Sequence, residues 1–182
     1  MTDLTDEIVT AAVAGDSDAL GTIYAVLSPK VHGYLRARGA DDPEGLTHEV
    51  FVHVLRRMGG IVGGAAGLRT FMFSVAHARY VDEVRRHDRR PKHAAYRPEL
   101  DDRCEPSAES TVLSNPGVGH LANALGRLQD DQRSVITLRV LGDLSIEQTA
   151  EVLGRSPGAI KQLQRRGLLA LRALVDRGEV AL

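Results

Sequence analysis

With 43% hydrophobic and 26% charged residues over 182 positions, the chain has an ordinary globular composition. Its aromatic share is only 4%, with no tryptophan, which points to helices packed through Leu, Val and Ala. The length accommodates one medium domain or two small ones, and small ones bury little surface, which leaves room for a permanent partner. The formal net charge of −1 argues against a uniformly basic nucleic-acid binder, and the single cysteine, Cys104, excludes an internal disulfide framework and fits a reducing compartment.

Helical spacing recurs along the chain and strand alternation does not. Leu4, Ile8, Ala12 and Val13 mark a first helix ended by Gly15. Asp16 or Ser17 caps a second, whose stripe of Leu20, Ile23, Tyr24 and Leu27 meets Pro29. A kink or short break is expected there before Val31, Tyr34 and Leu35 carry the pattern to Gly39. Asp42 followed by Pro43 is an N-cap with proline at the first helical position, opening a helix with Leu46, Val50, Val54, Leu55 and Met58 that Gly59 and Gly60 stop. The run GGIVGGAAGL at 59–68 is too short to span a bilayer and too rich in glycine to hold a helix, so a flexible loop is expected. After it, LRTFMFSVAHARYVDEVRRHDRR reads as one long helix, increasingly basic toward its end as the helix dipole favours.

Composition then changes. Residues 91–118 hold four of the seven prolines and the acids Glu99, Asp101, Asp102, Glu105 and Glu109, with little periodicity. They read as a flexible acidic linker between a domain at 1–90 and a second at 119–182. In the second domain Leu121, Leu125 and Leu128 mark a short helix, and Val135, Ile136, Leu138 and Val140 another that ends at Gly142. The fold class expected is all-α, as two small helical domains.

Charge is segregated along the chain. Acids outnumber bases up to Met58, bases dominate from Arg69 to Arg97, and residues 154–172 contain no acid. Two basic surfaces on an otherwise acidic chain suggest two contacts with one polyanion; solvated helix faces are the alternative.

The stretch LSIEQTAEVLGRSPGAIKQLQRRGLLALR at 144–172 is divided by Gly154 and Pro157. Ser145 and Gln148 have capping-box spacing, Gly154 is suited to a left-handed C-terminal position, and Ser156 caps a new helix with Pro157 at its first position. Two helices joined by so short a turn form a helix-turn-helix, whose second helix enters the major groove of DNA. Ile160, Leu163, Gly167, Leu171 and Leu174 give that helix a buried stripe, and Ser156, Gly158, Lys161, Gln162, Arg165 and Arg166 lie on the early turns that would meet phosphates and base edges.

At these residues the sequence resembles the extracytoplasmic-function, or group IV, sigma factors of bacterial RNA polymerase, in the sigma-70 family. The segment from LGRLQDDQRSVITLRVLGDLS through the helix-turn-helix is similar to the family's region 4, including its Leu-x-x-x-Gln-Arg opening. GDSDALGTIYAVLSPKVHGYLRAR, LTHEVFVHVLRR and LRTFMFSVAHARYVDEVRR resemble region 2. The family's Asp-Leu-x-Gln-Glu reads Gly45-Leu46-Thr47-His48-Glu49 here, its Trp is Phe71, and its Arg-Asn is His77-Ala78.

The resemblance implies that region 2 docks on the clamp helices of the polymerase largest subunit through Leu46, His48, Glu49, Val52, His53 and Arg56. It further implies that region 2 captures a melted −10 base with Arg69, His77, Arg79, Tyr80, Arg85 and Arg86. Region 4 would read the −35 element and contact the flap. Single-stranded DNA requires aromatic faces beside positive charge, and Phe71, Phe73 and Tyr80 interleave with Arg69, Arg79 and Arg85, although spacing assigns Phe71 to the core. The partners expected are core polymerase, promoter DNA and an anti-sigma factor, with no membrane, metal or cofactor.

An enzyme is not expected. His48 and His53 miss the i, i+4 spacing of a helical metal pair, Cys104 has no neighbouring base in sequence, and Asp82 and Glu83 are simpler as salt-bridge partners of Arg79 and Arg86. The other reading that stays open is a repressor or activator acting on duplex operator DNA without polymerase. Met1 begins a polar, acidic stretch without a signal-peptide core, so a cytoplasmic location is expected.

Overall fold

A computed structural model describes residues 3–89 and 123–179, and every regular element among them is helical. The N-terminal half consists of α1 (Asp6–Val13), α2 (Ser17–Arg38), α3 (Pro43–Leu55), a 3-10 turn (Met58–Gly60) and α4 (Gly64–Arg89). The C-terminal half consists of a helical turn at 123–126, α5 (Asp130–Val140), α6 (Ile146–Leu153) and α7 (Pro157–Asp176). The proposed linker at 91–118 lies outside the described residues, as does Leu121.

Local chemistry sets most helix boundaries. Thr5, Asp16 and Asp42 accept backbone N–H groups at the starts of α1, α2 and α3, and Gly39 ends α2 in the left-handed region at φ 84°. Gly45 is the residue that the Asp42 cap requires. Its N–H donates to Asp42 Oδ1 at 2.8 Å, and a Cβ at position 45 would stand 2.2 Å from the other carboxylate oxygen.

Pro29 does not break α2. Its missing N–H and ring clash cost about 3 kcal/mol in a helix interior, yet Ile23, Leu27, Val31, Tyr34 and Leu35 on the same helix are fully buried, and each large apolar side chain contributes about 1.5–3 kcal/mol. Packing outweighs the local penalty, and Pro29 itself faces solvent.

The glycine run is also more ordered than its composition suggests. Its first residues close the 3-10 turn, and α4 starts at Gly64 instead of beyond it. Gly64 opens the helix at φ 57°, in the left-handed region that suits glycine, and helix propensity costs about 1 kcal/mol for Gly67. Two tertiary contacts offset this: Leu68 is fully buried, and Asp6 of α1 accepts the Ala65 N–H at 2.8 Å, so the cap comes from 59 residues away. Gly67 is needed for steric reasons, because a Cβ there would lie 1.9 Å from the Val62 carbonyl oxygen.

The N-terminal half packs as a bundle in which α2, α3 and α4 touch one another and α1 lies across α2 and α4. In the C-terminal half α5 and α6 both rest on α7. Gly167 allows the close approach of α5 and α7, since a Cβ there would meet Ile136 at 3.0 Å. Arg133 ties the turn at 123–126 to α5 by donating to the carbonyls of Leu125, Gly126 and Leu128. Val13 and Val140, assigned to apolar stripes by spacing, are exposed instead.

The two halves pack against each other. α4 meets α6, α2 meets α5, and Leu138 and Leu144 of the C-terminal half are fully buried in the core of the N-terminal half, with Val152 and Leu153 packed on it. Gly142 sits against Phe73, at a point where a Cβ would lie 3.3 Å from the ring.

Replacing Gly67 by Ala is expected to lower the unfolding free energy by about 1–3 kcal/mol, as overpacking against rigid backbone does. Gly60→Ala, with open space around it, should stay within about 0.5 kcal/mol of the parent. Urea denaturation of both variants checks the contrast.

Candidate nucleic-acid and polymerase interfaces

The helix-turn-helix forms as its caps dictate. The Ser145 hydroxyl accepts the Gln148 N–H at 3.1 Å while Gln148 Oε1 accepts the Ser145 N–H at 2.7 Å, completing the capping box at the start of α6. Gly154 closes α6 in the left-handed region at φ 61°, and the Ser156 hydroxyl accepts the Ala159 N–H at 3.2 Å to open α7 with Pro157 in its first turn. Ile160 is fully buried with Val135 and Ala150, which fixes the rotation of α7. Ser156, Gly158, Lys161, Gln162, Arg165 and Arg166 are all exposed in consequence. The first-turn N–H groups of α7 and these cations form one positive face, with Glu147 of α6 near Lys161, suited to a phosphate backbone.

On α3, Leu46, Val50 and Val54 turn into the core, whereas His48, Glu49, Val52 and Arg56 face solvent and His53 is half-buried. Leu46 therefore supports this helix from behind. The exposed residues line a shallow groove with Arg57 and Arg79. Partial burial, then the charges of Arg57, Arg79 and Arg56, hold the His53 imidazole below its ordinary pKa, so arginine supplies the positive charge here. Arg79 reaches Glu49 at 3.7 Å, which makes the α3 and α4 surfaces continuous. The sequence-based pairing of Arg79 with Asp82 or Glu83 does not form: Asp82 pairs with Arg85 at 3.9 Å, and Glu83 accepts the Asp41 N–H.

The remaining α4 residues divide between core and surface. Phe73 is fully buried edge-on to Tyr34 and presents no stacking face, and Phe71 is half-buried beside His53. Tyr80 is half-buried beneath the guanidinium of Arg38, 4.6 Å from its ring centroid, while Arg85 and Arg86 are exposed. His77 shares a 3.0 Å hydrogen bond with the Tyr34 hydroxyl. Burial first, and the nearby Arg38 second, hold its imidazole below the ordinary value, against a smaller opposing effect of Asp130.

Arg69 is engaged by the C-terminal half, donating through Nη1 to the Asp143 carboxylate at 3.1 Å and more weakly to its carbonyl at 3.4 Å. Arg38, Asp130 and Asp143 are residues that motif reasoning passed over. Their trace in the sequence is positional: Arg38 continues the buried stripe Leu27, Val31, Tyr34 and Leu35 at helical spacing, a place where a cation must find a partner.

The model of Sigma-70, region 4 matches residues 124–173. The chain is similar to the ECF RNA polymerase sigma factor BldN of Streptomyces coelicolor, with 32% identity over 178 residues, covering 93% of this chain and 65% of BldN's length. It is also similar to the ECF RNA polymerase sigma factor ShbA of Streptomyces griseus, with 31% identity over 180 residues, covering 93% of this chain and 94% of that protein. Among solved structures, CnrH in complex with the cytosolic domain of CnrY is alike in fold, with a TM-score of 0.66 at 20% identity over 96% of this chain and 99% of that one.

The His77 environment makes stability depend on pH. With the folded pKa depressed, the neutral imidazole stabilises the fold fully above the unfolded value near about 6.5, and that stability is lost as pH falls from there through the folded pKa. Melting temperature is expected to drop on acidification below about pH 6.5. His77→Asn, which can still accept from Tyr34 and cannot take up a proton, should flatten this part of the profile when the two proteins are melted across the same buffers.

Proposed function

As this chain belongs to the ECF family of RNA polymerase sigma factors, we propose that it binds core polymerase and directs promoter-specific initiation by recognising −10 and −35 elements. The observation that carries this reading is the exposed basic face of α7, held in a doubly capped helix-turn-helix that lies within the region 4 match. The halves at 1–90 and 119–182 act as regions 2 and 4.

In this reading the N-terminal turns of α7 enter the major groove at the −35 element. Arg165 and Arg166 present planar forks that suit the O6 and N7 edge of guanine or a phosphate, and Lys161 and Gln162 complete the contact. The groove of His48, Glu49, Val52, His53 and Arg56 on α3 receives the polymerase clamp, with apolar Val52 among polar and charged lining residues. Arg79, Tyr80, Arg85 and Arg86 on α4 follow the melted −10 strand, with Arg69 and His77 joining that surface, and the flap takes an apolar face of the C-terminal half. An anti-sigma factor is a further partner, in keeping with CnrH, whose solved structure holds the cytosolic domain of CnrY.

Core polymerase separates this function from an operator-binding regulator. Purified chain added to core polymerase is expected to produce promoter-dependent transcripts, and a repressor or activator would not replace the sigma subunit. Arg165→Ala should weaken promoter binding by about 1–3 kcal/mol if the side chain reads a guanine, with a uniform loss across sequences if it meets phosphate. Footprints unchanged for both Arg165→Ala and Arg166→Ala would remove α7 from the reading role. Core-binding assays on Glu49→Ala, His53→Ala and Arg56→Ala test the α3 groove, where full affinity in all three counts against it.

A further inference from the structure

Arg38 is the most deeply buried cation described, with 2% of its surface exposed. Its Nη1 donates to the Asp130 carbonyl at 3.0 Å and its Nη2 to the Asp130 carboxylate at 2.8 Å, while its Nε has no partner. Both acceptors belong to one residue, 92 positions away, in the other half of the molecule. Within its own half Arg38 has an aromatic neighbour, the Tyr80 ring at 4.6 Å, and no described carboxylate partner.

Arg69 repeats the arrangement. Its Nη1 meets the carbonyl and the carboxylate of Asp143, its side chain is 18% exposed, and its Nε is also unpartnered. Asp143 is the one described residue other than glycine with positive φ, at 52°. Each guanidinium thus receives two oxygens from a single aspartate, one charged and one neutral, a pattern that the two free oxygens and charge of a phosphodiester can replace.

We propose that Arg38 is a phosphate-binding residue of the single-strand surface on α4, and that in the closed molecule Asp130 and Asp143 occupy the places of nucleic-acid phosphates on Arg38 and Arg69. This rests on the reading of α4 as the −10 surface. Separation of the halves leaves Arg38 as a cation lying on an aromatic face beside exposed Arg85, which is the combination that single-strand binding surfaces use. Its unsatisfied Nε gains a partner when a phosphate takes over the fork. Closure and single-strand binding therefore exclude each other, whereas the −35 face of α7 stays exposed in the closed state.

The test uses the full-length chain with a short fluorescein-labelled single-stranded DNA in anisotropy titrations, and small-angle X-ray scattering to follow separation of the halves. Asp130→Asn combined with Asp143→Asn is expected to expand the molecule and to tighten single-strand binding roughly tenfold by raising the competent fraction. Duplex −35 binding should not change. Adding Arg38→Gln to that open form should abolish most of the gain and reduce the slope of log affinity against log salt by about 0.7, the share of one phosphate contact.

Arg38→Lys in the same open form separates a structural role from a binding role. It keeps the positive charge and should retain most of the affinity and of the salt slope that Arg38→Gln loses, with scattering unchanged between the two variants. Unchanged affinity in the Asp130→Asn, Asp143→Asn chain overturns the proposal, as does full affinity and slope when Arg38→Gln is added. Failure of the underlying reading looks different: Tyr80→Ala and Arg85→Ala would then also be without effect in the open chain.

Discussion

Burial of one arginine organises the contact between the halves. Removing a guanidinium from water costs several kcal/mol even after relaxation, and a single carboxylate rarely repays that in full. Arg38 is held because four effects converge on it. It sits in the last turn of α2, where the helix dipole favours a cation, it lies on the Tyr80 ring, and it donates to both the carbonyl and the carboxylate of Asp130. Burial alone would raise the Asp130 carboxyl, yet the hydrogen bond and charge of Arg38 hold it below its ordinary value. Loss of Asp130 would leave the guanidinium of Arg38 buried without a counter-charge, whereas the Asp130 side chain, 68% exposed, would be left in water.

Around that pair the seam is largely hydrophobic. Leu138 and Leu144 complete the N-terminal core, and the absence of a side chain at Gly142 lets the α5–α6 connection lie flat on Phe73. Apolar area supplies the attraction, and the two ionic contacts at Arg38 and Arg69 set the register. Polar bridges of this kind discriminate between arrangements of those surfaces, and removing the aspartate from one leaves a buried guanidinium unpaired, which opposes closure.

The helix-turn-helix depends little on the seam. Its geometry follows from side chains within a few residues of the backbone they satisfy: Ser145 with Gln148, Gly154 in the left-handed region, and Ser156 with Ala159. Tertiary contacts refine it through buried Ile160 and through Arg155, which pairs with Asp131 of α5 at 2.7 Å and steadies the turn. A reading head built from local rules keeps its shape whichever surface the rest of the C-terminal half faces.

Features that depend on neighbours in sequence were legible from the residues alone. The caps at Asp42, Ser145 and Ser156, the stop at Gly154, the buried stripe of α7 and the exposure of Lys161, Gln162, Arg165 and Arg166 all follow from spacing and side-chain chemistry within one or two turns. Only the tertiary structure decided the rest. Pro29 stays inside α2 and the glycines from Gly64 join α4 because buried Leu27, Val31 and Leu68 and a cap from distant Asp6 outweigh local preferences. Phe73 packs in the core although its spacing also suited a stacking face, and Arg79 finds Glu49 on another helix. Whether a cation such as Arg38 ends in water or beneath Asp130 is decided by a contact 92 residues away, and no short-range pattern encodes which distant acid will arrive there.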